Sequence, residues 1–342
     1  MAKKRDVALD ILKGIAILAM VIGHFDILVD LENNLPYKFI HRFIYTFHMP
    51  LFFIVAGYLY HGGGISWQTV WKDFKRLIIP YWVTVFVVML IMTGYMLFKN
   101  PSELTDKINS EIIAAIWGSG YKHKAHIWGN FPVVGAIWFL PALFYCRSVF
   151  SFAYRIVNKL EISPFRRITY LGITSIIISI SFTLLDNFVV YLPGSANSGL
   201  SAIIFMFIGY SCNHFRRILH NRRILYLAVG IIIINLPVGG FGMANCFYMC
   251  YPLNVLGAAA TTAILYLLCK YIMKVMPVSS VLGWCGRCSL LILCVHSTFL
   301  STRSIYPFFS EGLIDILFCI IYSFLFAWLL SKIKVVKVIF KV

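Results

Sequence analysis

Residues 7–29 read VALDILKGIAILAMVIGHFDILV, and this stretch decides the fold. Its 23 residues are enough for an α-helix to cross a bilayer. A plain membrane anchor would be uncharged, but this stretch carries Asp10, Lys13 and His24. An ionisable side chain at membrane depth is costly and normally faces protein or a water-filled cavity. The stretch therefore predicts a membrane-embedded helix that contributes to a functional site.

The spacing of these three side chains adds to the prediction. Lys13 and His24 are eleven residues apart, which is roughly three helical turns and about 16 Å along the axis, so both lie on nearly the same face. Asp10 precedes Lys13 by three residues, near enough for an ion pair that lowers the cost of both charges. The alternative interpretation is that these polar groups only hold the helix to its neighbours.

The composition extends the membrane prediction to the whole chain. Hydrophobic residues occupy 60% of the 342 positions and charged residues 13%, whereas soluble domains are about half apolar and a quarter charged. We therefore expect an all-α, polytopic membrane helix bundle that contacts membrane lipids. The first apolar run is too long for a cleavable signal sequence and carries Lys13, so we expect it to be retained.

Ten apolar stretches predict ten transmembrane helices in one domain over residues 1–342. They are 7–29, 37–60, 77–98, 136–157, 168–190, 196–213, 224–240, 253–273, 282–301 and 313–331. With both termini in the cytoplasm, twenty Lys and Arg residues fall on inner segments and seven on outer segments. This bias is the one that the positive-inside rule requires. Topology thus accounts for most of the net charge of +17, and we expect no nucleic-acid partner.

The predicted outer segment 99–135 is longer than a simple connection needs. It contains an apolar patch followed by aromatic and basic residues that include Trp117, Lys122, His126 and Trp128. Such a mixture could line a sugar site, or it could form an interfacial helix with its aromatic belt. The second interpretation is slightly favoured.

Histidines recur at membrane depth in three predicted spans, as His24, His48 and His296. Hydrogen bonding between helices is the alternative explanation for each of them. No two of them are four residues apart, and no carboxylate accompanies them at ligand spacing, so we expect no metal. Cys285 and Cys288 form one CxxC pair, but a structural metal site would need a second pair.

A basic cluster follows the second span. That span contains Pro50, which should kink the helix, and Gly57, which permits the close approach of a neighbour. At the predicted inner mouth stand Lys72, Lys75 and Arg76. Such a cluster suits a phosphate-bearing cytoplasmic ligand, because Arg grips phosphate through two hydrogen bonds. The positive-inside rule alone would also explain Lys72 and Lys75.

Five blocks of sequence resemble landmarks of acyltransferase family 3, the polytopic membrane O-acyltransferases that modify cell-surface carbohydrates. The blocks are Lys13 with His24, His48 to Phe53, Arg76 to Trp82, Ile137 to Leu143 and Gly283 to His296. They occur in the family order from about residue 5 to 330, and the style is closest to the fucose 4-O-acetylase branch. One departure concerns the Arg-x-x-Arg pattern of the family, because Asp73 stands where the first Arg would be.

The resemblance implies transfer of an acetyl group from cytoplasmic acetyl-CoA to a sugar hydroxyl in the bacterial inner membrane. The acceptor would be a carbohydrate or a lipid-linked sugar. The implied catalytic residues are His24, Lys13 and Asp10; the donor-binding residues are Arg76, Lys72 and Lys75; the substrate-binding residues are His48, Trp138 and His296. His24 would act as a general base or accept the acyl group itself, and the sequence leaves both routes open.

A transporter or flippase for a lipid-linked sugar is the alternative function. In that case Asp10, Lys13 and His24 would form a relay for protons or substrate. The sequence shows no inverted repeat and no paired broken helices in matching halves, which many such transporters have. The acyltransferase is therefore the favoured hypothesis.

Overall fold

The computed structural model describes residues 6–27, 35–122, 127, 129–188, 190–214, 221–238, 240–305 and 313–341, and nearly all of its regular structure is helical. The α-helices are α1 (Val7–Gly23), α2 (Leu35–Tyr58), α3 (Trp67–Asp73), α4 (Ile79–Lys99), α5 (Leu104–Trp117), α6 (Phe139–Asn158), α7 (Pro164–Asn187), α8 (Ala196–Ser201), α9 (Ile203–His214), α10 (Arg222–Val238), α11 (Tyr251–Ile272), α12 (Met276–Arg287), α13 (Ser289–Thr302), α14 (Leu313–Ile321), α15 (Ala327–Leu330) and α16 (Lys334–Phe340). A two-stranded sheet joins β1 (Phe241–Gly242) to β2 (Phe247–Tyr248).

Shorter turns complete the helical elements. Segments of 3-10 helix lie at His24–Ile27, Pro101–Glu103, Ala136–Trp138 and Arg303–Ile305. Two π-helical turns, Phe74–Ile78 and Tyr322–Phe326, interrupt longer helices. The first of them lies directly before Pro80, which has no N–H to donate to the carbonyl of Arg76. Such π-helical turns occur frequently at functional sites.

The predicted fold class is confirmed. Among the described residues, five helices are long and apolar enough to cross a membrane, and seven if each of two bent helix pairs counts as one span. They are Pro36–Tyr58, Trp67–Lys99, Ala136–Asn158, Pro164–Asn187 and Tyr251–Ile272. The number of ten spans stays a prediction.

The first helix ends earlier than the sequence predicts. A single helix through residue 29 was expected, but α1 ends at Gly23 and a 3-10 turn begins at His24. The imidazole of His24 bonds the carbonyl of Met20 in the last turn, and the backbone N–H of His24 bonds the same oxygen. A side chain that satisfies a terminal carbonyl in this way favours the end of a helix.

The chain forms two compact units. Unit 1 comprises residues 1–61, 204–242 and 248–292, and unit 2 comprises residues 62–203, 243–247 and 293–342. In unit 1 the core includes Ile11, Leu12, Leu51 and Phe47, all buried, from α1 and α2. The close approach expected at Gly57 is confirmed, because a side chain there would collide with the backbone of Met206 in α9.

Unit 2 contains the long helical run 67–99 and most of the predicted outer segment. The hydroxyl of Tyr81 in α4 donates to the carbonyl of Ala115 in α5 at 2.6 Å. Trp117, at the end of α5, stacks on Phe131 with 4.5 Å between ring centroids. The outer segment is therefore anchored by its aromatic residues. His126 and Trp128, part of the prediction for this segment, lie outside the described residues.

Candidate active site

The start of α1 holds an ion pair that the sequence predicts. Asp6 caps the helix by accepting hydrogen bonds from the N–H groups of Ala8 and Leu9. Nζ of Lys13 then lies 2.9 Å from Oδ1 of Asp10, with the side chains 21% and 7% exposed. Pairing lowers the cost of placing two charges in so apolar a helix.

Helix α12 fixes this part of α1. A side chain at Gly14 would collide with the backbone carbonyl of Leu282, and a side chain at Gly286 would collide with the carbonyl of Asp10. The two backbones are therefore in direct contact on both sides of the ion pair, as small residues allow in membrane helix packing. The position of Lys13 is set by backbone packing as well as by its own pairing.

The ring of His24 has a defined tautomer. Its Nδ1 lies 2.8 Å from the carbonyl oxygen of Met20, and the side chain is half-buried. A carbonyl oxygen only accepts, so Nδ1 carries the proton in this contact. In the neutral ring, Nε2 then carries the lone pair, as a general base requires.

His48 of α2 repeats the same arrangement in unit 1. Its Nδ1 lies 2.9 Å from the carbonyl oxygen of Ile44, and its ring packs against Tyr45 with 4.9 Å between centroids. His48 is buried and lies near enough to His24 for an electrostatic interaction. A side chain at Gly23 would contact Ile44 and Tyr45. Two of the three histidines predicted from the sequence therefore belong to one neighbourhood.

The predicted donor-binding residues lie in unit 2, around the first π-helical turn. Arg76 is exposed and lies close enough to Arg147 and Asp73 for electrostatic interaction. Nε of Arg147 donates to Oδ2 of Asp73 at 2.8 Å. Asp73 itself is buried. The acidic residue that departs from the family pattern is thus neutralised by an arginine of α6.

Lys72 and Lys75 have different surroundings. Both side chains are exposed, and Nζ of Lys75 stands 5.2 Å from the ring centroid of Trp71. A cation over an aromatic ring near a helix end is typical of a side chain at a membrane interface. Lys75 therefore lies over the ring of Trp71, whereas Arg76 lies near the guanidinium of Arg147.

The remaining two predicted residues occupy separate places in unit 2. Trp138 is buried, and its indole fills the space beside Gly120, where a side chain would collide with the ring. His296 is fully buried in α13, with Nδ1 3.0 Å from Oγ of Ser323 and 3.7 Å from Sγ of Cys319. Ser323 lies in the second π-helical turn. These contacts place both residues in packed surroundings.

Sequence reasoning missed two partners in this arrangement. Arg147 lies inside the predicted span 136–157, but Asp73 is 74 residues away and could not be assigned to it from the sequence. Ser323 could not be assigned to His296, because a single polar residue in an apolar helix does not show which other helix it contacts. The charge of Arg147 at membrane depth was the one usable signal.

The described part of the chain shows no group of three His, Cys, Asp or Glu residues that could hold a metal ion. Cys285 and Cys288 are both buried and reduced. The residues suited to a bound anion are Arg76 and Arg147, because guanidinium groups match phosphate geometry.

Comparison with known proteins gives one family and one relative. A family described as an acyltransferase domain matches residues 6–332. A segment of 66 residues is 43% identical to Nodulation protein NolL of Sinorhizobium fredii (strain NBRC 101917 / NGR234), and covers 18% of this chain and 17% of that relative. The match therefore spans about a sixth of the relative. No solved structure matches.

Proposed function

Because the chain belongs to this acyltransferase family and is a multi-pass membrane protein, we propose that it acetylates sugar hydroxyls. The donor is cytoplasmic acetyl-CoA, and the acceptor is a cell-surface glycan or its lipid-linked precursor. The protein acts in the inner membrane of a bacterium. The observation that carries the proposal is His24, whose contact with Met20 leaves Nε2 with the lone pair.

The lone pair of Nε2 supports acyl transfer by either of two routes. In direct transfer, Nε2 takes the proton from the sugar hydroxyl while the hydroxyl oxygen attacks the thioester carbonyl. The C–O bond forms, the C–S bond breaks, and the proton passes from His24 to the sulfur of CoA. In the covalent route, Nε2 attacks the thioester, the C–S bond breaks and CoA leaves as the thiolate. The sugar oxygen then attacks the acetyl carbonyl, the C–N bond to His24 breaks, and the hydroxyl proton passes to the thiolate. Both routes need the same tautomer.

Lys13 supplies positive charge to the reaction. Lys13 stands about three helical turns before His24, so it acts on the developing negative charge of the thioester through its field in the water-excluded bundle and not by direct contact. Asp10 holds the ammonium group in place at 2.9 Å. Asp10 is thus a positioning residue for Lys13.

The phosphates of the donor bind at the inner mouth of unit 2. Arg76 is exposed beside Arg147, and two neighbouring guanidinium groups favour a doubly charged diphosphate. Asp73 holds Arg147 through its Nε, which leaves the terminal nitrogens for phosphate oxygens. Lys72 and Lys75 add positive charge around this site. His48, Trp138 and His296 are proposed to contact the acceptor sugar.

The experiment that tests this function uses the purified protein in lipid nanodiscs with acetyl-CoA labelled in the acetyl group. The acceptor is a glycan fraction from bacterial envelopes. Wild-type protein should label the glycan, and His24→Asn should lower kcat by about 10²–10⁴-fold, because a positioned base contributes that much. Mass spectrometry of the glycan gives the number of acetyl groups.

His214 provides the matched control. Its Nδ1 lies 2.9 Å from the carbonyl of Tyr210, the same contact that His24 makes with Met20, also at a helix end. His214→Asn should retain transfer. Near-normal transfer by folded His24→Asn would remove His24 from the chemistry. Gradient-driven uptake of a lipid-linked sugar without thioester cleavage would favour the transporter.

A further inference from the structure

Unit 1 contains an apolar cleft between four helices. The first turns of α1, the last turn of α2 and the C-terminal halves of α9 and α11 line this cleft, which is open on one side. Its walls include Leu12, Tyr58, Ala259 and Ala263. The two alanines leave the space that larger residues would fill. Ligand sites in proteins are mostly apolar, with a few polar groups that fix orientation.

One rim of the cleft carries an aromatic pair and a lysine. Tyr266 lines the cleft, and its ring lies 6.2 Å from that of Tyr58. Nζ of Lys270 stands 5.1 Å from the centroid of Tyr266. Ala259, Ala263, Tyr266 and Lys270 follow one another at spacings of four, three and four residues, so they form one stripe on α11. The stripe changes from apolar to cationic at the end of the helix.

The predicted topology gives this stripe a depth in the membrane. α1 begins on the cytoplasmic side, and α2, α9 and α11 end there, so the rim of the cleft lies at the inner membrane surface. Tyr residues are enriched at that interface. Anionic lipid headgroups of the cytoplasmic leaflet attract Lys side chains in this zone.

We propose that this cleft binds an acyl chain of an anionic phospholipid from the cytoplasmic leaflet, with the lipid phosphate paired to Lys270. The charge at the rim selects an anionic headgroup over a zwitterionic one. The apolar walls accept the chain, because a chain buried in the cleft contacts protein on several sides. The bound chain packs on Leu12, next to Lys13, and so supports the start of α1.

The test measures lipid retention by native mass spectrometry. The full-length protein is reconstituted with equal amounts of phosphatidylglycerol and phosphatidylcholine that carry the same acyl chains, and is then extracted into detergent. Wild-type protein should retain phosphatidylglycerol in preference. Lys270→Gln should lower that preference about fivefold, the expected contribution of one interfacial lysine.

Lys274, two residues beyond the end of α11, provides a matched control. Its Nζ stands 5.6 Å from the ring centroid of Tyr271, and neither residue lines the cleft. Lys274→Gln should leave the preference unchanged. Equal preference in wild-type protein and Lys270→Gln would overturn the proposal, as would an equal loss in both variants.

Two further measurements identify the occupant. Ala263→Leu fills the cleft and should lower the retention of both lipids. A thermal unfolding midpoint near that of the wild-type protein shows that this variant folds. Unchanged retention by folded Ala263→Leu would contradict the proposal, while the Lys270 comparison stands whether or not this variant folds. Displacement of phosphatidylglycerol by palmitoyl-CoA but not by lysophosphatidylglycerol would assign the cleft to a donor acyl chain and overturn the lipid proposal.

Discussion

The two units each contain a buried acid–base pair of nearly the same geometry. In Asp10–Lys13 the charged atoms are 2.9 Å apart, and the side chains are 7% and 21% exposed. In Asp73–Arg147 they are 2.8 Å apart, and the side chains are 8% and 22% exposed. The first pair spans three residues of one helix, whereas the second joins residues 74 apart in the chain.

This difference separates what the two pairs do. Asp10 and Lys13 can meet in α1 alone, because residues three apart share a helix face. Asp73 and Arg147 meet only when the end of α3 packs near α6. We infer that the first pair mainly positions the Lys13 ammonium group for catalysis. The second pair mainly stabilises the packing of α3 against α6. The predictions below test this division.

The largest expected effect is on catalysis at Lys13. Lys13→Ala should lower kcat by about 10²–10³-fold, the typical cost of removing one group that stabilises developing negative charge. Lys13→Arg should retain part of the activity, because it keeps the charge. Single-turnover acetyl transfer measures both variants. If kcat fell equally in Lys13→Arg and Lys13→Ala, positive charge alone would not explain the contribution of Lys13.

The second prediction concerns stability and reverses the order of the two pairs. Arg147→Met leaves the buried Asp73 carboxylate unpaired and should destabilise the protein by up to about 3 kcal/mol, the low end for a broken buried pair. Lys13→Met should cost less, because Asp10 lies in the first turn of α1, where the helix dipole favours a negative charge. Denaturant unfolding in detergent gives both values.

The control for that prediction removes both charges. Asp73→Asn combined with Arg147→Met should recover part of the lost stability, because no uncompensated charge remains. A larger loss in Lys13→Met than in Arg147→Met would contradict the division of roles between the pairs.

The third prediction concerns the guanidinium beside the second pair. Arg76→Ala should raise the KM for acetyl-CoA about tenfold with little change in kcat, because a phosphate contact acts equally on the ground and transition states. Lys72→Ala should raise KM less. Steady-state kinetics against acetyl-CoA measures both. An unchanged KM in Arg76→Ala would place the donor phosphates elsewhere.

The last prediction tests the topology and is expected to change activity and stability least. It labels one position on each predicted side of the membrane. Ser102 and Ser163 are both exposed, so Ser102→Cys and Ser163→Cys place a reactive thiol within reach of a reagent, and the two native cysteines that are not buried, Cys212 and Cys250, are changed to Ser. A membrane-impermeant maleimide should label Cys at 102 in intact cells and at 163 only after permeabilisation. The reverse pattern would invert the predicted topology, and with it the leaflet assigned to the cleft at Lys270.

The comparison of the pairs also explains how far sequence reasoning reached. The Asp10–Lys13 ion pair was predicted and is confirmed, because it depends only on helical spacing. The close approach of a neighbour at Gly57 was predicted because glycine has no side chain, and it is confirmed. The prediction that α1 continues to residue 29 was wrong, because it took hydrophobicity as the measure of helix length. Hydrophobicity could not show that the imidazole of His24 bonds the carbonyl of Met20 in the last turn of α1.

By itself, the sequence determined that this protein is helical and membrane-embedded, that it belongs to an acyltransferase family, and that α1 carries a charged pair. The helical, membrane-embedded character and the charged pair follow from apolar length, composition and spacing within one helix, and the family follows from the resemblance of five sequence blocks to its landmarks. Only the tertiary structure decided that Asp73 meets Arg147, that Ser323 bonds His296, and that α1, α2, α9 and α11 leave an apolar cleft between them. Each of these depends on packing between segments far apart in the chain, and hydrophobic periodicity carries no information about which segments meet.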